Sequence, residues 1–336
     1  MIPIFQEMRK RTIVILATGG TIAGSAASDT ATTGYQAGAI GVDALIKAVP
    51  EVTACANVRG EQIASLDSKD IGDDVWLALS KRVNELLARD DVDGVVITHG
   101  TDTLEETAYF LNLTVRSTKP VVMTGAMRPA TAISADGPMN LLNAVRLAAT
   151  PAAADRGVLV CLNEQIDSAR NVTKTHTTSV DTFKSPLGPI GFMNDGKPTF
   201  YNTVERHHAG HTEFDVTGAT KLPYVKVIYG HANDDALFVD AAINAGVKGL
   251  VYAGTGNGSI HKDAEKALAR AAKGGIVIVR STRVGSGTVI PAEQSYTDAG
   301  FLNGDSLNPQ KCRILLQLAL LRTTDPRKIQ QMFYEY

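Results

Sequence analysis

Short apolar runs alternate with longer stretches of helical period along most of this chain. Residues 12–17, 95–98, 121–124 and 158–162 are each rich in β-branched and aliphatic side chains and too short for helices. Such runs, closed by glycine or polar residues, read as strands buried on both faces of a parallel sheet. Helical patterns lie between them. One runs from Ser68, placed to cap it, to about Leu87, with Asp70, Asp73 and Asp74 near its positive end. Another starts at Asp102 and ends near Leu113, and a third covers 136–149, ahead of Pro151. This alternation predicts an α/β fold, a parallel sheet with helices on both faces. From 202 to 223 the pattern gives way to polar and turn residues. It then resumes, with strands expected at 225–229, 249–252 and 276–280 and helices at 235–245 and 262–272. Asn308-Pro309 marks one more helix start, an N-cap residue followed by proline at the first helical position. The expected organisation is a larger N-terminal domain over 1–201, a linker at 202–223 and a smaller α/β C-terminal domain over 224–336.

Two of the expected strands end in similar glycine turns. The first continues into Thr18-Gly19-Gly20-Thr21, the second into His99-Gly100-Thr101-Asp102. The carboxyl edge of an open α/β sheet is where ligands bind, so each turn presents a threonine hydroxyl where chemistry is expected. A phosphate cradle fits poorly, because no lysine follows Gly19, Gly20 or Gly24 at P-loop spacing. Gly254-Thr255-Gly256-Asn257-Gly258 lacks the third-glycine spacing of a dinucleotide fingerprint. One such turn would need no explanation beyond tight backbone geometry. Two, with threonine in matching places, point to a threonine nucleophile.

Charge and cysteine content narrow the classes. The 336 residues carry 33 Lys and Arg against 35 Asp and Glu, with no long basic stripe, so no nucleic-acid partner is expected. No apolar run reaches the roughly 18 residues of a membrane span. Residues 1–11 hold no apolar segment of signal-peptide type, although a mature secreted form would look the same. Cys55, Cys161 and Cys312 are scattered, and the last two sit in apolar runs as small hydrophobes, so no disulfide framework is expected. His207, His208 and His211 lie in a polar stretch and read as part of a solvated connector rather than a zinc site.

A hydroxyl nucleophile needs a base and a group that orients the base. His99 neighbours Thr101 but belongs to the strand end, where its side chain is expected on the other face, and it reads as structural. That leaves lysine and tyrosine. Lys174 lies in Asn171-Val172-Thr173-Lys174-Thr175, and Tyr35 in a Gly/Ser/Thr/Ala-rich stretch, 24–41, with the composition of a loop that closes over a site. Spacing alone also fits a surface lysine and a packed aromatic, and periodicity does not choose.

The two turns belong to a longer set of blocks. With 17–24 and 97–110 go Asn57-Val58-Arg59-Gly60-Glu61-Gln62, Gly125-Ala126-Met127-Arg128-Pro129, Ser134-Ala135-Asp136-Gly137, Leu307-Asn308-Pro309-Gln310-Lys311 and Ile329-Gln330-Gln331. In this order, over essentially the whole chain, they resemble the bacterial-type L-asparaginases and glutaminase-asparaginases, specifically the type II branch. The resemblance implies an amidohydrolase that converts L-asparagine to L-aspartate and ammonia, with weaker action on L-glutamine and no metal or organic cofactor. It implies a homotetramer built as a dimer of dimers, and a periplasmic location, a cytoplasmic one being compatible with the missing signal peptide. Thr21 resembles the nucleophile, with Tyr35 beside it and Glu293 as a carboxylate added by a neighbouring subunit. Thr101, Lys174 and Asp102 resemble a second catalytic group. Asp102 also resembles the residue that holds the substrate α-ammonium, Ser68 the one that holds its α-carboxylate, and the Ala126 carbonyl the acceptor for the leaving amide nitrogen. Alanine at 126 is closer to asparaginase-preferring members than serine would be.

The chain departs from the family pattern at four places. Lys69 stands where members usually carry glutamine or glutamate near the substrate ammonium, so a cation there opposes binding unless it turns away. Asp67 replaces a small residue and is placed to pair with it. Ser259 stands where some members contribute asparagine across the subunit interface, and Ser117 occupies one of the type II disulfide positions. A rival reading, a non-catalytic amino-acid-binding or sensor protein, draws only on Lys69. A binding module would not need both threonines, and fold alone does not decide between the two.

Overall fold

The computed structural model describes residues 9–25, 28–30 and 38–336. The chain forms two compact units, one ending at Thr212 and the other spanning Glu213–Tyr336. Residues 201–224 carry no helix or strand.

The strands of the first unit are β1 (Thr12–Gly19), β2 (Asn57–Leu66), β3 (Gly94–Thr98), β4 (Val121–Thr124), β5 (Val158–Leu162), β6 (Gln165–Ser168), β7 (Thr173–Lys174), β8 (Phe183–Lys184), β9 (Gly191–Asn194) and β10 (Lys197–Phe200). Eight of them build one sheet in the order β10-β9-β6-β5-β4-β3-β1-β2, while β7 and β8 pair separately. Pairing is parallel from β2 to β5, as the apolar runs predict. It is antiparallel at β5–β6, β6–β9 and β9–β10, so a mostly parallel sheet carries an antiparallel edge. Two tight hairpins cause the reversal. Asn163-Glu164 joins β5 to β6 and Asp195-Gly196 joins β9 to β10, and all four residues have positive φ. Two-residue loops of that conformation match the twist of antiparallel strands.

The helices of this unit are α1 (Val42–Ala48), α2 (Glu51–Cys55), α3 (Asp73–Leu87), α4 (Leu104–Thr114) and α5 (Gly137–Ala148). Every residue of β1 is buried. Ile13, Ile15 and Ala17 join one core cluster with side chains of α1, α2 and α5. Side chains alternate along a strand, so Val14 and Leu16 face the opposite side, where α3 and α4 pack against β3, β4 and β5. Each such fully buried aliphatic side chain contributes roughly 1.5–3 kcal/mol. Two helix starts differ from the expected ones. Ser68 opens a short 3-10 turn, Ser68–Asp70, and α3 begins only after Gly72, with Asp73 and Asp74 in its first turn. The helix expected from Asp102 begins at Leu104.

The second unit holds β11 (Val225–Tyr229), β12 (Gly249–Gly254), β13 (Val277–Thr282) and β14 (Leu302–Asn303), all parallel and paired in chain order. Its helices are α6 (Leu237–Asn244), α7 (Lys262–Lys273), α8 (Gln294–Asp298), α9 (Pro309–Leu320) and α10 (Pro326–Glu335). Asn308 caps α9, its side chain accepting from Lys311 N at 3.1 Å. Asp325-Pro326 repeats the device for α10, with Asp325 accepting from Arg327 N at 2.9 Å.

Candidate active site

Chain order decides where the first unit can bind a ligand. β2 lies on one side of β1 and β3 on the other. The connections from β1 and β3 therefore leave in opposite directions, and a crevice opens at their carboxyl ends. Both threonine turns lie there. Thr21 opens the 3-10 turn Thr21–Ala23 directly after β1 and is buried. Thr101, also buried, lies three residues past the end of β3.

Glycine lets the two turns touch. Gly20 has φ 79°, and a Cβ there would lie 2.3 Å from Gly100 N. A Cβ on Gly100 would in turn lie 2.6 Å from Ser68 Oγ. Backbone contact therefore joins the turns carrying Thr21 and Thr101, and the Ser68 side chain packs on Gly100, close approaches that a side chain at either glycine would obstruct. Ser68 does not cap α3. Its hydroxyl is buried and has no hydrogen-bond partner among the described residues. A buried polar group left unpaired costs about 1–3 kcal/mol, so an acceptor or donor from a ligand would relieve it.

Lys174 joins the second turn. Its Nζ lies 3.0 Å from Thr101 Oγ1 and 2.7 Å from Asp102 Oδ1. Lys174 sits on the two-residue strand β7, and the buried Glu105 holds that strand from the first turn of α4. Glu105 Oε1 accepts from Thr173 Oγ1 at 2.9 Å and from Lys174 N at 3.3 Å. A cleft of about 450 Å³ opens beside the lysine, lined by Asp102, Glu105, Lys174, Thr175, His176 and Thr177. Ala126 is buried in the loop after β4. Asp136 fixes that loop by accepting from Met127 N and Arg128 N, both at 2.9 Å. Asn140 donates to Gly125 O at 3.0 Å.

Tyr35 lies outside the described residues. Lys69 is exposed and paired with Asp67, with Asp70 at 3.5 Å. Ser259 and Glu293 belong to the second unit, and both are exposed. Asn257 links their loops, since Ile290 N donates to its Oδ1 at 3.0 Å. The Tyr296 hydroxyl donates to Glu293 Oε1 at 3.5 Å. Among the described residues no group of three His, Cys, Asp or Glu side chains could hold a metal ion. His211 pairs instead with Asp155 at 2.6 Å. Burial pushes the Cys161 thiol up to about 12, which leaves it inert.

His99 is wholly buried, and desolvation of its charged form is the main cause that pulls its pKa down from 6.5 to about 4. In the folded chain it therefore stays neutral where the unfolded chain takes up a proton. Stability from this group is complete above pH 6.5 and is lost as the pH falls toward 4, by about 3 kcal/mol. The thermal midpoint should drop less steeply across that window in His99→Gln than in wild type. Equal slopes would assign the acid sensitivity to other groups.

Sequence reasoning missed Glu105, Asp136 and Asn140 as supports of the site. Each lies in the first turn of a helix or next to it, where the sequence pattern gives the helix and not the contacts of its first side chains.

Comparison with known proteins agrees in both units. Residues 12–206 match the family model described as asparaginase, N-terminal, and residues 224–333 that of the glutaminase/asparaginase C-terminal domain. The chain is 56% identical to L-asparaginase 2 of Bacillus subtilis over 96% of its own length and 86% of the relative's. It is 51% identical to L-asparaginase 2 of Escherichia coli, over 96% and 93%. A solved structure, the probable cytoplasmic L-asparaginase of Campylobacter jejuni, superposes with a TM-score of 0.95 at 51% identity, covering 97% of this chain and all of the other.

Proposed function

This chain belongs to the asparaginase family, and from that premise we propose how its residues hydrolyse the side-chain amide of L-asparagine. The enzyme is an amidohydrolase that acts on asparagine and, more weakly, on glutamine. The observation that carries the site assignment is the contact of two threonine turns at the β1/β3 crevice, with Lys174 on one of them. Thr21 Oγ1 attacks the carboxamide carbon, and its proton passes to the base of the site, the role given to Tyr35. Backbone N–H groups of the glycine turns stabilise the oxyanion. The tetrahedral adduct expels ammonia, its nitrogen held by the Ala126 carbonyl and protonated as it leaves. A Thr21 ester of aspartate remains. Water held near Thr101 and Lys174 attacks that ester, frees aspartate and returns the proton to Thr21. Ser68 and Asp102 anchor the α-carboxylate and α-ammonium.

Release of ammonia by the pure protein from asparagine, faster than from glutamine, is the expected result. No release from either overturns the reading. A non-catalytic binding protein of this fold has no observation in its favour, since Lys69 turns to Asp67. For the same reason Lys69→Gln should move KM for asparagine by less than about twofold, as expected of an exposed ion pair. A tenfold fall in KM would place the lysine against the substrate ammonium.

We further propose that the working form is a homotetramer, a dimer of dimers in which Glu293 and Ser259 reach the site of a neighbouring subunit. The second unit exposes Tyr229, Leu237 and Phe238, apolar side chains of the kind an interface covers. Activity should disappear with dissociation when sedimentation and turnover are followed on dilution. A fully active monomer would show the site complete in one chain. The type II resemblance supports a periplasmic enzyme, and recovery in the osmotic-shock fluid of the host is the expected result.

A further inference from the structure

A buried chain of hydrogen bonds ends beside Thr101 and has no part in the chemistry above. Trp76 Nε1 lies 2.9 Å from Thr107 Oγ1, Thr107 Oγ1 lies 2.8 Å from His99 Nε2, and His99 Nδ1 lies 2.7 Å from Gly100 O. All three side chains are buried. Chemistry fixes the direction of each bond. A carbonyl only accepts and an indole N–H only donates. Nδ1 therefore carries the proton of the neutral ring, which leaves Nε2 an acceptor. Thr107 takes the indole proton on a lone pair and gives its own to Nε2. The relay runs one way, from α3 through α4 to the turn after β3.

Its last bond holds the peptide between Gly100 and Thr101. In a trans peptide the C=O and N–H point in opposite directions. A carbonyl held to His99 therefore sends the Thr101 N–H away from the imidazole. Among the described residues that N–H has no hydrogen-bond partner. Gly100 is also the residue against which Gly20 packs. One carbonyl thus sets the pose of both threonine turns.

We propose that His99, Thr107 and Trp76 are positioning residues for the amide hydrolysis, acting by orienting the Gly100–Thr101 peptide. The inference rests on the reading of Thr101 as a working group of the site. Three proteins test it: wild type, Thr107→Val and Thr107→Ser. Valine keeps the volume and removes the hydroxyl that joins the indole N–H to Nε2, whereas serine keeps it. Thr107→Val should lower kcat by at least about tenfold with KM within about threefold, because small misplacements of reacting groups cost rate. It should also speed amide hydrogen exchange over residues 99–102. Thr107→Ser should stay near wild type in both. A purely structural role would lower the melting temperature of Thr107→Val and leave kcat at 25 °C unchanged, and that result overturns the proposal. Equal losses in the valine and serine variants overturn it too, since the hydroxyl would then be irrelevant. A wild type that releases no ammonia would fail the activity reading. Exchange then still judges the relay, and an unchanged rate over 99–102 in Thr107→Val rejects it. Should Thr107→Val not fold, Trp76→Phe removes the first donor and keeps an aromatic ring against Phe110. A kcat and an exchange rate both equal to wild type in that variant likewise reject it.

Discussion

Replacing Thr21 with valine should lower kcat for asparagine by at least about 10⁴-fold, the scale on which a lost nucleophile acts. The substitution exchanges a hydroxyl for a methyl at nearly constant volume. Thr21 is buried just after a fully buried strand, in a turn closed by a hydrogen bond from Gly24 N to Thr21 O at 2.8 Å. That bond uses the backbone and survives the change. The fold should therefore lose only about 1 kcal/mol, the usual net worth of one side-chain hydrogen bond. The two threonines make different claims on the nucleophile's role. Thr101 Oγ1 is already engaged by Lys174, a contact suited to activating a water as well as to activating the hydroxyl itself. Acid quenching during turnover separates them. A β-aspartyl ester on the peptide that carries Thr21 is expected in wild type, and none in Thr21→Val. A folded valine variant that keeps a tenth of wild-type kcat removes Thr21 from the role, as does an ester found on Thr101.

The features of the site that could be read from the chain are those that follow from local pattern. Apolar runs ending in glycine and threonine marked β1 and β3, and their carboxyl ends hold both turns. The order β2-β1-β3, which makes those ends a crevice, was not legible, because β2 is a half-exposed strand of mixed polarity with no clean period. The antiparallel strands β6, β9 and β10 hid in the same way. Each has four residues, and the turn before β6 rests on Asn163 and Glu164 at positive φ without a glycine, whereas Asp195-Gly196 before β10 is a hairpin signal flanked by strands too short to show a period. Ser68 was legible as a capping residue for the wrong reason. The chain takes a separate 3-10 turn before α3, and the hydroxyl stays uncommitted. The relay through Trp76, Thr107 and His99 joins three segments whose meeting only the packing of α3 on α4 reveals, where Trp76 stacks on Phe110 at 5.1 Å.

Thr101→Val and Lys174→Met should each lower kcat by about 10³-fold, and the double variant should lose little more than either alone. The expectation follows from geometry. Lys174 Nζ reaches Thr101 Oγ1 and Asp102 Oδ1 together, so removing the threonine leaves the lysine with only its carboxylate, and removing the lysine leaves the hydroxyl without its partner. Groups that act as one unit fail together, whereas independent groups would multiply to about 10⁶-fold in the double variant. Lys174→Met keeps most of the length of a side chain that is largely buried. Asp102 is more than half exposed, so losing the ion pair costs the fold about 1 kcal/mol or less. Hydrolysis of a preformed acyl-enzyme is the step that should slow, and the β-aspartyl ester on Thr21 should accumulate in both single variants. Multiplicative losses would mean that Thr101 and Lys174 serve different steps. A variant that loses kcat without accumulating the ester would move the pair from the water to the first attack.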